Sequence, residues 1–497
     1  MGVLSTAVAT AVVGIVTQNQ VTLRAAPRQS AIRQAVLWQG EALEIRSDRG
    51  DYLEVFDHRL ERGGFVRASE VRRTTLVPEE APELLAVVRF LRDTPGSEAL
   101  GISFAAAYIK AASATALTAE PFDALGQMAE RLARRATYPP NKAAEPIIAA
   151  HLEVVANEGL SMRSFEREGS MQICYDGEMF RRVLSMPSAD ATQRAHAALG
   201  LTRHDCVDPR LGLTARAQYD QWRADILERV PAVGLSTELR NRVHTRRAGV
   251  LAAVAFWQTR QRAPESAAAG RAAAARSIEE LAAVNSNDLD DDDRYDYAEA
   301  AVRVGASRLA AEPSSTRAVP AHTELQTGLQ PGAARSSGHL TVNTSPGAPG
   351  QTCVSLFDAR QVGGAALVRR CTFGAVWLVS ASANAAGTAL ALAVQPLATW
   401  RELWVFRLLR GAWVIDVLPP GSDDPNLGYI ECAGWEPNSR HMLVVREVQS
   451  AGRLHRRFEL IRLDTLAIER QAGTPSLVPG FRRWQDPLWK GATVALR

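Results

Sequence analysis

Changes of hydrophobic period along this 497-residue chain constrain its fold more than any single motif does. Residues 15–73 alternate apolar and polar side chains in short bursts broken by glycine, as in Val21-Thr22-Leu23, Ala42-Leu43-Glu44-Ile45 and Tyr52-Leu53-Glu54-Val55. A period of two sends successive side chains to opposite faces of a strand, so a small β-barrel is expected here. Over residues 79–312 the period lengthens. Apolar residues recur three and four apart at 83–92, 122–135, 147–155, 178–184, 217–229, 237–259 and 277–284, which predicts a central all-α domain. Residues 351–497 return to strand patterns such as Val376-Trp377-Leu378-Val379 and Met442-Leu443-Val444-Val445, predicting a C-terminal all-β domain. Between them, residues 313–350 are rich in Ser, Thr, Pro, Gly and Ala and bury too little to repay their ordering entropy, so a flexible, disordered linker is expected. The chain is accordingly multidomain, as its length alone suggests.

Local signals refine this division. Pro82, Pro121 and Pro146 stand where helices should begin, a place where a missing N–H costs nothing. Ser277-Ile278-Glu279-Glu280 has the spacing of a capping box, and Ser170 to Tyr175 reads as a short strand interrupting the helices. No fixed repeat period supports a solenoid.

Composition narrows the function classes. Lys and Arg number 57 against 54 Asp and Glu, so the formal charge of +3 gives no field that would select nucleic acid. No internal stretch reaches the ~18 apolar residues that a membrane-spanning helix needs. Residues 1–14 are small and apolar and contain Ala9-Thr10-Ala11, the pattern of a signal segment, yet no Lys or Arg precedes Arg24. A signal lacking its basic start, or an apolar tail before a first strand, are the two readings. The five cysteines are far apart with no CxxC, which argues against thiolate metal sites. Cys174 with Cys206, and Cys353 with Cys371, could pair as two disulfides in an oxidising compartment; five buried free thiols are the alternative.

The order of signals within residues 15–73 is similar to that of the bacterial SH3 family. Leu23-Arg24-Ala25-Ala26-Pro27 resembles its opening, Leu37-Trp38-Gln39-Gly40 its L-x-x-G turn, Tyr52-Leu53-Glu54-Val55 its W-x-x-V strand, and Gly64-Phe65-Val66 with Val71 its closing strand. Tyr52 and Phe65 stand where that family carries tryptophan. The resemblance implies a barrel that engages peptidoglycan or an envelope protein in the periplasm or another exported location. Trp38, Tyr52 and Phe65 would then form the ligand groove, although each also suits the core of a sixty-residue barrel. More distantly, Gly434-Trp435-Glu436-Pro437-Asn438 and the strands after it resemble a turn and strands of TolB or WD-type propeller blades. The region holds about three blades where a propeller needs 4 to 8, so an open sheet or sandwich is the alternative.

No catalytic motif is found: HExxH, GxSxG, a phosphate loop and GxGxxG are all missing, and no residue is assigned a catalytic role. Arg203-His204-Asp205-Cys206 is the nearest reactive cluster, but a catalytic Cys and His normally come from separate elements. The run from Asp288 to Glu299 matches an EF-hand loop, with Asp288, Asp290, Asp292, Asp296 and Glu299 at positions 1, 3, 5, 9 and 12. Asp293 replaces the glycine of position 6, and an acidic loop capping a helix is the competing reading. The expectation is an exported, non-enzymatic envelope binding protein with no required cofactor. A cell-wall hydrolase and a calcium-responsive adaptor are the alternatives.

Overall fold

Side-chain alternation fixes the pairing of the N-terminal strands in the computed structural model, which describes residues 12–492 apart from 168, 262–263, 313–334, 362–363, 422–425 and 451. The N-terminal signal reading therefore lies outside the described residues, except at its last three positions, where β1 has begun. Two compact units divide the chain. One runs to Leu211 and takes in Ile226–Leu235; the other comprises Gly212–Asp225 and the chain from Ser236 onward.

In the first unit, β1 (Val12–Val16), β2 (Val21–Arg24), β3 (Arg33–Leu37), β4 (Ala42–Arg49), β5 (Tyr52–Asp57), β6 (Arg62–Arg67) and β7 (Val71–Thr74) form a seven-stranded sheet of order β3-β2-β6-β5-β4-β1-β7. Every pair in it is antiparallel. Val16, Val21, Leu23, Leu37, Leu53, Val55 and Val66 make its apolar centre. Each such side chain, fully buried, stabilises the fold by about 1.5–3 kcal/mol. Gly40 closes the turn after β3 with φ of +93°, and a Cβ there would lie 2.7 Å from the carbonyl oxygen of Ala99. Only glycine satisfies both demands.

Six helices follow: α1 (Ala81–Arg92), α2 (Glu98–Ala111), α3 (Glu120–Thr137), α4 (Glu145–Asn157), α5 (Glu178–Ser185) and α6 (Ala191–Leu201). Pro82, Pro121 and Pro146 do sit in the first turns of α1, α3 and α4. α2 has no counterpart among the predicted segments because it is buried almost all round, which erases the amphipathic period. Phe180 of α5 wedges between Gly126 of α3 and Gly200 of α6, where a Cβ would come within 2.4 and 2.2 Å of its ring. The predicted strand is β9 (Ser170–Tyr175), paired with β8 (Met162–Arg167). β9 is fastened by the disulfide Cys174–Cys206, whose Cα atoms are 5.8 Å apart. Closing its 32-residue span restricts the unfolded chain by about 3–4 kcal/mol.

His151 of α4 is buried, and its Nε2 donates to Asn19 Oδ1 at 2.7 Å while Nδ1 has no partner among the described residues. Burial first, and then the charge of Arg135, hold its pKa below the usual 6.5. The unfolded chain therefore takes up a proton that the folded state refuses, and stability should fall as pH drops below 6.5. Thermal melts from about pH 7.5 to 5 should show that loss. His151→Gln should remove the part of the slope nearest 6.5, and an unchanged slope would mean that other groups set it.

In the second unit, α7 (Leu213–Glu228) contributes its residues up to Asp225, followed by α8 (Thr237–Arg260), α9 (Pro264–Ala282) and α10 (Asp291–Ser307). β10 (Arg335–Ser337), β11 (Leu340–Pro346), β12 (Thr352–Asp358) and β13 (Val368–Thr372) make a four-stranded sheet in sequence order. Cys353 and Cys371 face each other across β12 and β13 as a second disulfide. The remaining strands are β14 (Ala375–Ala383), β15 (Ala389–Leu397), β16 (Trp400–Leu409), β17 (Ala412–Leu418), β18 (Gly428–Trp435), β19 (His441–Ser450), β20 (Arg453–Arg462) and β21 (Ile468–Ala472). They form one eight-stranded sheet of order β14-β15-β16-β18-β19-β20-β21, with β17 beside β16. Leu340, Val342, Val354 and Leu356 of the smaller sheet share a core with Leu390, Leu392, Trp404 and Phe406 of the larger. Two short helices, α11 (Phe481–Trp484) and α12 (Pro487–Ala492), end the described chain.

Several sequence expectations are corrected here. The helices of residues 79–312 do not form one domain: Val254 and Phe256 of α8 pack with Trp377, Ala393 and Ala398, and Val302 and Ala306 of α10 with Leu427 and Tyr429. Apolar faces that match a strand surface thus bind the later helices to the C-terminal sheet. The last part of the stretch expected to be a linker is ordered, because β11 buries Leu340 and Val342; residues 313–334 lie outside the described residues. Ser277 is interior to α9 and donates to Ala274 O, so its capping box is not formed. Asp190 and Gln193 build one instead at the start of α6. β18 to β20 are neighbours in one continuous sheet.

Candidate functional site

Hairpin geometry and one buried helix create a cleft of about 300 Å3 in the first unit. Val13 and Ile15 share a face of β1 because they are two residues apart, and register places Val13 opposite Glu44 of β4. Across from them runs α2, whose Ser103 donates to Gly40 O at 2.7 Å and so locks helix to sheet. Val13, Ile15, Leu43, Leu76 and Ala107 make apolar walls, and Glu44, His58, Lys110 and Glu158 bring charge to the lining.

These polar groups are organised. His58 Nε2 donates to Glu44 Oε2 at 2.8 Å, and Arg46 Nε reaches the same oxygen at 3.2 Å. The Arg46 hydrogen bond, followed by that of His58, holds the Glu44 carboxyl below the usual range. Arg46 also lies over the Phe56 ring at 3.8 Å, and His58 packs edge-on to Phe56 at 4.9 Å. Lys110 Nζ pairs with Glu158 at 3.3 Å. An apolar floor between two polar pairs, Glu44 with His58 and Lys110 with Glu158, suits a ligand with an apolar body and polar ends.

The aromatics singled out from the sequence lie elsewhere. Tyr52 is buried, Trp38 and Phe65 are half-buried, and none lines the cleft. Tyr52 and Phe65 share one sheet face, since Phe65 opposes Glu54 two residues from Tyr52. Sequence reasoning missed the cleft because its second wall comes from residues 103–158, beyond the segment that carries the barrel pattern.

The acidic run forms the start of a helix. Asp288 ends a short 3-10 turn, Asp290 caps α10 by accepting from Asp293 N at 2.7 Å, and the helix is under way from Asp291. Asp292 and Asp296 are exposed, and Glu299 pairs with Arg303 one turn on. The twelve-residue loop does not form because acidic residues are favoured in a first helical turn. Glu238, Asp290 and Asp293 do converge, but on the guanidinium of Arg242, at 2.8, 3.4 and 2.7 Å. An arginine thus stands where a cation would sit. Calcium at millimolar level should therefore leave the melting temperature unchanged, whereas Asp290→Ala should lower stability by about 0.5–2 kcal/mol through the lost cap. A rise in melting temperature with calcium would overturn this.

Thiol chemistry is closed off as well. Cys206 of the Arg203–Cys206 cluster is tied up in the disulfide with Cys174. Cys432 is free, but burial pushes its thiol up to about 12, so it holds almost no thiolate at neutral pH. Among the described residues, no helix is long and apolar enough to cross a membrane. No family model, curated protein or solved structure matches this chain.

Proposed function

We propose that this is an exported binding protein of the bacterial envelope, which seats a protein partner on its N-terminal sheet. The cleft between β1, β4 and α2 carries the reading: its apolar walls and the Glu44–His58 and Lys110–Glu158 pairs suit one or two apolar side chains flanked by charge. The motif order of residues 15–73 supports an SH3-like module, and two disulfides are compatible with an oxidising compartment such as the periplasm. Between the two ligands that the resemblance implies, protein is favoured over peptidoglycan because the walls offer few polar groups to sugar hydroxyls.

The test is selection from a displayed peptide library on the full chain. Peptides with large apolar residues beside charged ones should be enriched. Ala107→Trp fills the cleft from α2 and should abolish their binding. If wild type selects nothing that the variant does not also bind, the reading is wrong.

A further inference from the structure

The second unit has a cleft of different chemistry, about 460 Å3 in volume, between the first part of α7 and the end of α8. Four of its lining residues are glutamines, Gln218 and Gln221 from α7 and Gln258 and Gln261 from the end of α8. With them stand Trp257 and Arg260, and among the described residues no carboxylate lines the space.

Each group is held in a way that leaves something to offer. Trp257 Nε1 donates to Asp220 Oδ2 at 3.0 Å, and Asp220 is itself clamped by Arg216 and Arg223 at 3.0 and 2.9 Å, so the indole is fixed before any ligand arrives. Gln221 spends its NH2 on Asp225 at 2.8 Å and keeps its carbonyl oxygen as an acceptor. Gln261 accepts from Ser266 at 2.9 Å and keeps its NH2 as a donor. Gln218 and Gln258 make no side-chain hydrogen bond among the described residues, so both functions remain. Arg260 donates to the backbone oxygen of Phe373 at 2.6 Å and lies 5.9 Å from the centre of the Trp257 ring.

We propose that this cleft binds a neutral oligosaccharide. Sugar hydroxyls donate and accept at once, as amides do, and the apolar C–H face of a pyranose stacks on a rigid indole. Among the described lining residues a cation would find no carboxylate and a polyanion one guanidinium, and an apolar peptide would have to cover four amides that each still offer a donor or an acceptor. The volume lies within the range of small-ligand sites. The shared chemistry is a neutral pyranose chain, which a free oligosaccharide or the glycan of a cell wall could supply.

Triacetylchitotriose, cellotriose and maltotriose titrated into the full chain, read by saturation-transfer NMR and calorimetry, provide the test. At least one should bind, with its ring protons saturated. Gln218→Ala combined with Gln258→Ala changes two amides without internal partners and should weaken binding at least about fivefold with the fold intact. Trp257→Phe should weaken it while retaining some stacking. Cosedimentation with purified peptidoglycan, competed by the trisaccharide, marks the wall glycan as the source; binding of the free sugar alone marks a soluble one. Ala107→Trp in the other cleft should leave sugar binding untouched, which separates this proposal from the preceding one. Binding of none of the three sugars, or binding that the double variant leaves unchanged, overturns it.

Discussion

Glu431→Ala should lower the free energy of unfolding by about 3–5 kcal/mol, read as a fall in the urea midpoint. Glu431 is 5 % exposed, and its Oε2 accepts from Arg308 at 2.7 Å and from Arg401 at 2.8 Å, while Oε1 accepts from the Trp489 indole at 2.9 Å. Arg401 is wholly buried and also donates to Gly305 O at 2.9 Å, which ties α10 to β16. Burial, and then the nearness of Arg308 against the pull of Glu431, push Arg401 down to about 10, so it remains charged at neutral pH. Removing Glu431 would leave the buried Arg401 without its carboxylate partner and Arg308 with only Glu312 at 3.4 Å, the costly way to break a buried pair. Burial alone would raise the Glu431 pKa, but the two arginines outweigh it and the net shift is downward. Its stabilisation is thus present above the ordinary 4.5 and lost as pH falls through the lower folded value. A loss below about 1 kcal/mol would show that the network is replaceable.

Glu98→Ala should cost less, about 2–3 kcal/mol. Glu98 is wholly buried at the start of α2, where Oε1 accepts from Arg131 at 2.7 Å and from Gly96 N at 3.0 Å, and Oε2 pairs with Arg135. Arg131 also donates to Arg92 O at 2.7 Å, so the carboxylate joins the end of α1, the start of α2 and α3. The effect is smaller than at Glu431 because Arg131 and Arg135 are 29 % and 27 % exposed and can turn to water once their partner is gone. Urea melts of the two variants should rank them in that order, and a Glu98→Ala loss equal to that of Glu431→Ala would refute the role given to solvent.

Neither carboxylate could be picked out from sequence. Glu98 looks like any surface acid, and its arginines come 33 and 37 residues later; Glu431 lies 123 residues from Arg308. The two cysteine pairings were legible as options because the partners are 32 and 18 residues apart, within neighbouring predicted elements. In the acidic run, spacing at 1, 3, 5, 9 and 12 is also what an acid-rich helix start produces, and Asp290 and Asp293 pair with Arg242, some fifty residues earlier.

By itself the sequence determined which regions are strand-rich and which are helical, and most of the amphipathic helices, because periods of two and of three to four residues are local consequences of backbone geometry. It also determined the helix starts at Pro82, Pro121 and Pro146, since proline's missing N–H acts within one turn. Only the tertiary structure decided that α8 to α10 belong with the C-terminal sheet, that α2 is a helix walled in on nearly every side, and that a cleft opens between β1 and α2. Each of these depends on which apolar surface meets which partner across tens to hundreds of residues, and burial free energy carries no record of that choice in any single segment.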